Sequence, residues 1–214
     1  MTAATATVRP AAGMAGSPLV RSGGWRVERL LAGPALAALA AEAEACHRGA
    51  VESVVDEPRD DDPRGGHPDR RLETAAGGPA LGALYASPVL HRLLARLTGT
   101  PWRPSGPRAS YSYYRAPRHH LGLHRDVDVC ALAVIACVAD GGATDAGAAA
   151  LHVYPSRAAD ALADVRADRR GAVAVPVAPG QAVVLLGGIV PHEVRPVGPG
   201  RCRVVAPMCF RPAV

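Results

Sequence analysis

The sequence predicts a mainly β fold, a β-sandwich or barrel of the jelly-roll and cupin kind, with helices placed ahead of it. The first observation is a succession of short runs after Pro101, rich in Val, Ala, Tyr and Leu: RASYSYYR, HHLGLH, CALAVIACV, ALHVYP, GAVAVPV, QAVVLLGG, HEVRPV and RVVAPMCF. The second is the punctuation between them, with turn signals at Asp140-Gly141-Gly142, Pro179-Gly180 and Gly198-Pro199-Gly200. The third is that the long helical patterns all precede this region, so they are expected to cover one outer face of the sheet. A length of 214 residues suits one domain with a sizeable core.

In chain order, residues 1–24 are small, aperiodic and Pro/Gly-bearing, and are expected to be a flexible tail. The domain is expected over 25–214, with helical support at 34–100 and the barrel at 101–214. WRVERLL, from Trp25, alternates well enough for a short strand. Gly33-Pro34 then opens a helix through PALAALAAEAEACHR, with Pro34 in the first turn and Leu36, Leu39 and Ala43 on the apolar face. Cys46 and His47 read as ordinary helix-end residues. VDEPRDDDPRGGHPDRR has mixed charge and no period, so it reads as a loop. It is either a solvated linker, with Asp60-Asp61-Asp62 set among arginines, or a lid with His67, Arg70 or Arg71 touching a substrate. GGPALGALY and SPVLHRLLARLTG are helical. In the second, Ser87 caps, Pro88 takes the first turn, Gly99 ends the helix, and Leu90, Leu93, Leu94 and Leu97 form a core stripe beside a structural His91.

Composition excludes several chemistries. All 24 basic residues are arginine, so a Walker A lysine, a kinase strand lysine and a Schiff-base lysine are impossible. His124-Arg125-Asp126 spells the opening of a kinase catalytic loop, but the asparagine that loop requires is Ala131 here. The net charge of +5 comes from scattered arginines with no basic, aromatic-laced stripe, so no nucleic-acid partner is expected. The five cysteines are odd in number, far apart and without C-x-x-C spacing, which argues against a zinc knuckle or a disulfide framework and for small buried hydrophobes. No long charge-free apolar run is present, so no membrane partner and a cytoplasmic location are expected.

His124 and Asp126, two apart on an extended segment, project from one side of the chain and can grip one metal ion. A third ligand is available in His192, just after a strong apolar run and a Gly-Gly turn. Two histidines and one carboxylate occupy one face of an octahedral metal and leave three positions open, the arrangement of non-haem Fe(II) oxygen chemistry. Arg201, directly after the Gly198-Pro199-Gly200 turn, offers a planar fork for a carboxylate; Arg203, on the same strand face, is the other choice.

The order H-x-D, a strand-rich interval, GQAVVLLGGIVPHEVRPV and an arginine after a glycine turn resembles the Fe(II)/2-oxoglutarate-dependent dioxygenases, in the region of prolyl hydroxylase and phytanoyl-CoA hydroxylase. The resemblance runs from Tyr111 to the C-terminus. It implies a double-stranded β-helix, Fe(II) held by His124, Asp126 and His192, O2 as oxidant, and the distal carboxylate of 2-oxoglutarate on Arg201. Tyr114 matches a tyrosine that contacts this cosubstrate, although a core tyrosine would look the same. Related halogenases replace the carboxylate by Gly or Ala, so Asp126 implies hydroxylation, or a related desaturation, epoxidation or ring closure. Many relatives have Ser or Thr two residues past the anchoring arginine, where this chain has Arg203, which could instead meet a substrate carboxylate. By alternation one of His119 and His120 would turn inward, towards a substrate or towards solvent at the strand end. The expected substrate is a small molecule such as an amino acid or natural-product intermediate of secondary metabolism, and a homodimer is allowed. Two other readings stay open: a cupin-like metalloenzyme that has no use for Arg201, and a noncatalytic β-barrel binding module.

Overall fold

The structure is a computed structural model that describes residues 13–59, 67–141 and 151–213. The three expected helical patterns are realised as α2 (Gly33–His47), α3 (Pro79–Tyr85) and α4 (Pro88–Thr98), and two short helices that the sequence did not announce join them, α1 (Pro18–Arg21) in the expected tail and α5 (Leu162–Ala167) within the strand-rich half. Between and after them lie β1 (Trp25–Arg29), β2 (Val51–Val55), β3 (Arg70–Ala76), β4 (Trp102–Pro104), β5 (Ser110–Tyr114), β6 (His120–His124), β7 (Leu132–Gly141), β8 (Leu151–Val153), β9 (Val173–Val175), β10 (Gln181–Leu185), β11 (His192–Val194) and β12 (Cys202–Pro212). All strand pairings are antiparallel, in the order β1-β10-β7-β12-β5-β3-β6-β11-β8-β9, with β2 added on β3 and β4 on β12. This is the curled sheet of a jelly-roll, double-stranded β-helix fold.

α1 packs on α4 and β1, α2 on α3, β3 and β7, and α4 on β4, whereas α5 packs apart from them on β6; β5 shows how alternation separates outside from inside. Tyr111 and Tyr113 point outward to α2, where the Tyr111 hydroxyl donates to Glu42 Oε1 at 2.8 Å and the Tyr113 hydroxyl to the Ala43 carbonyl at 2.7 Å. Desolvation pushes the Tyr113 phenol up to about 12. Tyr114 points the other way, into a cluster with Leu72, Val197 and Val205. Glu42 also accepts the main-chain N–H groups of Gly78, Ala80 and Leu81, at 3.2, 2.6 and 3.0 Å, which supplies the side-chain cap that α3 lacks of its own. On α4 the expected caps are present: Ser87 Oγ accepts from Val89 N, and Gly99 takes φ 75° with its N–H on Ala95 O.

Several expectations are corrected. Residues 13–24 are not a tail: Met14 and Leu19 are buried, and the one-turn α1, capped by Ser17, packs against α4. Residues 1–12 and Asp60-Asp61-Asp62 lie outside the described residues. The expected loop ends in strand, because Arg70 and Arg71 already belong to β3 and pair with Leu121 and His120. β2, β3 and β4 escape the period-2 test because β2 and β3 carry charges on exposed positions and β4 spans only Trp102–Pro104. Cys130 and Cys209 form a disulfide across a separation of 79 residues, which no local spacing announces. Cys46, Cys137 and Cys202 remain free thiols. No helix among the described residues is long and apolar enough to cross a membrane.

Candidate metal centre

His124 ends β6 and His192 begins β11, and the two residues are direct cross-strand partners. Their ring centroids are 4.2 Å apart. Asp126, on the loop after β6, places Oδ1 3.7 Å from His124 Nε2 and 3.8 Å from His192 Nε2. One ligand atom from each of the three lies within 4.8 Å of the others, the only such His/Cys/Asp/Glu group among the described residues. The three residues that the sequence singled out as ligands are thus brought together.

Backbone carbonyls orient both imidazoles. His124 Nδ1 donates to Gly122 O at 2.8 Å and His192 Nδ1 to Val190 O at 2.9 Å, which leaves each Nε2 lone pair facing the partner ring and Asp126. Burial, then the neighbouring His124, pushes the His192 imidazolium down to about 4, so the ring is neutral at physiological pH, as a ligand must be. Burial works to raise the Asp126 carboxyl, but His192 and His124 outweigh it and the balance is downward. Asp126 Oδ2 is buried without a hydrogen-bond partner, an expensive state for a carboxylate oxygen unless a cation completes it. The donor set, its preset tautomers and this orphaned oxygen all fit a divalent metal.

The loop Gly187–Val190 touches both Asp126 and His192. Asp126 N donates to Gly187 O at 2.9 Å, and Gly187 must lack a side chain because a Cβ there would run into Asp126 Oδ2. Arg125, between the two ligands of the motif, donates from Nε to Ile189 O at 2.9 Å. Its Nη2 reaches Arg157 O, Ala158 O and Asp160 O at 3.4, 3.0 and 2.8 Å.

Arg203, buried on β12, is the cross-strand partner of Tyr114, so both face the interior. Arg201 lies one residue before the strand and is more exposed. Arg201 Nη2 and Arg203 Nη1 both reach Asp140 Oδ2, each at 3.0 Å. The sequence offered no signal for Asp140, whose role comes from β7–β12 pairing. His119 is buried with Nδ1 against the Tyr113 carbonyl, and His120 Nε2 pairs with Asp69 Oδ2 at 3.1 Å, so neither joins the ligand group. His67 is exposed in a bridge with Arg59, and Arg70 Nε donates to Ser53 Oγ at 2.7 Å.

No protein-family model and no curated protein matches the chain. Solved structures do match its fold. AviO1 from Streptomyces viridochromogenes Tue57 superimposes with TM-score 0.63 and 22% identity, covering 98% of each chain. The epimerase SnoN, in complex with Fe3+, alpha ketoglutarate and nogalamycin RO, gives TM-score 0.68 and 15% identity over 94% of this chain and 84% of that one. A Pseudomonas putida prolyl-4-hydroxylase gives 0.61 and 20% over 90% and 95%. The fold is therefore that of the prolyl hydroxylases and other 2-oxoglutarate–Fe(II) oxygenases. Within that fold, the chain carries a His-Asp-His group on β6, the following loop and β11.

Proposed function

We propose that this protein is an Fe(II)- and 2-oxoglutarate-dependent oxygenase acting on a small molecule. The observation that carries the reading is the group His124, Asp126 and His192, with both Nδ1 atoms committed to carbonyls and Asp126 Oδ2 left without a partner, inside the fold of these enzymes. When bound, iron and 2-oxoglutarate supply the oxidising power: O2 gives one atom to the substrate and one to succinate, with loss of CO2.

The chain's own residues do the holding and excluding. His124 and His192 donate through Nε2 and Asp126 through its carboxylate. The distal carboxylate of 2-oxoglutarate would be held by Arg203, with Arg201 at the rim. Burial beside Tyr114 favours Arg203 over Arg201, the arginine that spacing alone preferred. Asp140 keeps the guanidinium planes oriented until a cosubstrate carboxylate shares them. Leu72, Val205 and Val197 around Tyr114 keep water from this end of the interior. Retention of Asp126 supports oxygen insertion, or the related desaturation, epoxidation or ring closure, over halogenation. Natural-product intermediates and amino acids are the substrate classes we would screen first, since SnoN is a nogalamycin-biosynthesis protein of this fold.

One observation favours a second reading, a cupin-like metalloenzyme that does not use 2-oxoglutarate: Asp140 already engages both arginines. The two are separated by adding Fe(II) and 2-oxoglutarate to the protein without oxygen. A weak visible absorption that is lost in Asp126→Ala, and succinate release on admitting air, are expected. A protein that binds iron but shows neither belongs to the second reading.

A further inference from the structure

Arg125 stands between two ligands of the proposed centre, yet its side chain turns away from the metal position and spends its donors on main-chain carbonyls. Nε holds Ile189 O, and Nη2 holds the 157–160 turn through Arg157 O, Ala158 O and Asp160 O. A half-buried guanidinium whose hydrogen bonds go to main-chain carbonyls is an unusual way to use a charge. Burial lowers its pKa, with nearby Asp160 only partly offsetting this.

What those carbonyls belong to explains the arrangement. Ile189 is the neighbour of Val190, whose carbonyl fixes the His192 ring, and lies two residues past Gly187, whose carbonyl holds the Asp126 amide. The short loop from Gly187 to Val190 therefore sets both Asp126 and His192, and Arg125 is the side chain that ties it to the strand end carrying His124. The same guanidinium anchors the pair to the 157–160 turn, which Arg157 closes from the other side through Asp160 and Asp168 O.

We infer that Arg125 is a positioning residue for the metal centre: its fork locks the Gly187–Val190 loop so that His124, Asp126 and His192 keep a common focus. This rests on the reading of those three residues as metal ligands. Lysine in its place would keep the charge but, with a single nitrogen, could not hold Ile189 O and the 157–160 turn together.

The test is binding of Co(II) to metal-free protein, read by the ligand-field absorption of the bound ion, beside thermal unfolding of the same metal-free samples. Arg125→Lys is expected to weaken Co(II) binding by about ten- to a hundredfold and to change the absorption. Arg157→Ala, which loosens the same turn without touching the ligand loop, is expected to lower the thermal midpoint and leave Co(II) binding and spectrum unchanged. Arg125→Lys with wild-type affinity and spectrum overturns the inference, as does an equal loss of affinity in Arg157→Ala. If Arg125→Lys does not fold, Arg125→Gln is put through the same titration under the same criteria. Wild-type protein that binds no Co(II) overturns the metal-site reading itself. Normal wild-type binding with an indifferent Arg125→Lys removes only the positioning role.

Discussion

Arg203 and Tyr114 are cross-strand partners on β12 and β5, and both are buried on the inner face of the sheet. The pairing puts a cation and a phenol side by side where a carboxylate could be gripped, and it places the phenol under strong desolvation, which raises its pKa. Arg201 shares Asp140 with Arg203 but approaches from the loop before the strand.

From this relationship, Arg203→Ala is expected to raise the 2-oxoglutarate requirement more than Arg201→Ala does. Loss of a charged hydrogen-bonding partner costs about 1.5–3 kcal/mol, or on the order of ten- to a hundredfold in affinity. Titration of 2-oxoglutarate against the visible absorption of the anaerobic iron complex measures both variants. The reverse order would return the anchor to Arg201, and equal small effects would take both arginines out of cosubstrate binding.

Gly187 offers a more selective probe. A methyl group there would meet Asp126 first, at Oδ2, Cγ and Cβ. Gly187→Ala is therefore expected to leave the circular dichroism of the protein unchanged while displacing the Asp126 carboxylate and lowering metal affinity at least tenfold, the order found when a ligand loses its support. Equilibrium dialysis against Co(II) or Fe(II) reads this directly. Wild-type affinity would mean that the loop yields and that Asp126 is not held as tightly as the contact indicates.

The parts of the fold legible in the sequence are those whose signal is local. β7 and β10 are almost wholly buried, so LAVIACV and QAVVL read as strands without further help, and α4 declares both ends through Ser87 and Gly99. The candidate His-Asp-His group was legible because H-x-D is local and His192 follows a recognisable turn. What escaped depends on distant pairing. Asp140 matters only because β7 lies beside β12, Cys130 finds Cys209 across 79 residues, and Arg125 bonds to carbonyls, which every residue possesses. β2 and β3 were hidden because Glu52, Arg70, Arg71 and Glu73 interrupt the apolar alternation that marks a half-buried strand.

The disulfide makes a prediction about stability. Cys130 closes the turn that follows Asp126, and Cys209 lies on β12, so the bond ties the segment after Asp126 to that strand. Closing a loop of this size restricts the unfolded chain by about 4.5 kcal/mol in the chain-entropy account, and native cross-links generally contribute about 2–5 kcal/mol. Cys130→Ala is expected to lower the urea midpoint by a corresponding amount, and a thiol reductant should bring wild-type protein to the same midpoint without affecting the variant. A wild-type midpoint indifferent to reductant under unfolding conditions would show that the bond contributes nothing to stability.

The last expectation concerns pH in the metal-free protein. His192 titrates at about 4 in the folded chain, because burial and then the adjacent His124 oppose its charge, whereas a free histidine titrates near 6.5. The unfolded chain therefore binds more protons than the folded one between these values, and stability rises with pH across that window. The contribution is fully present above about pH 6.5 and is lost as pH falls towards about 4, with a ceiling of about 3 kcal/mol. The Asp126 carboxyl, held below its usual value, acts in the same direction further down the scale. Urea midpoints of metal-free protein between pH 7 and 4 should fall steeply, His192→Leu should flatten the curve, and bound metal should oppose the loss until protons displace it from the imidazoles. A His192→Leu curve parallel to wild type would assign the acid sensitivity to other groups and remove the buried neutral imidazole from the account of this site.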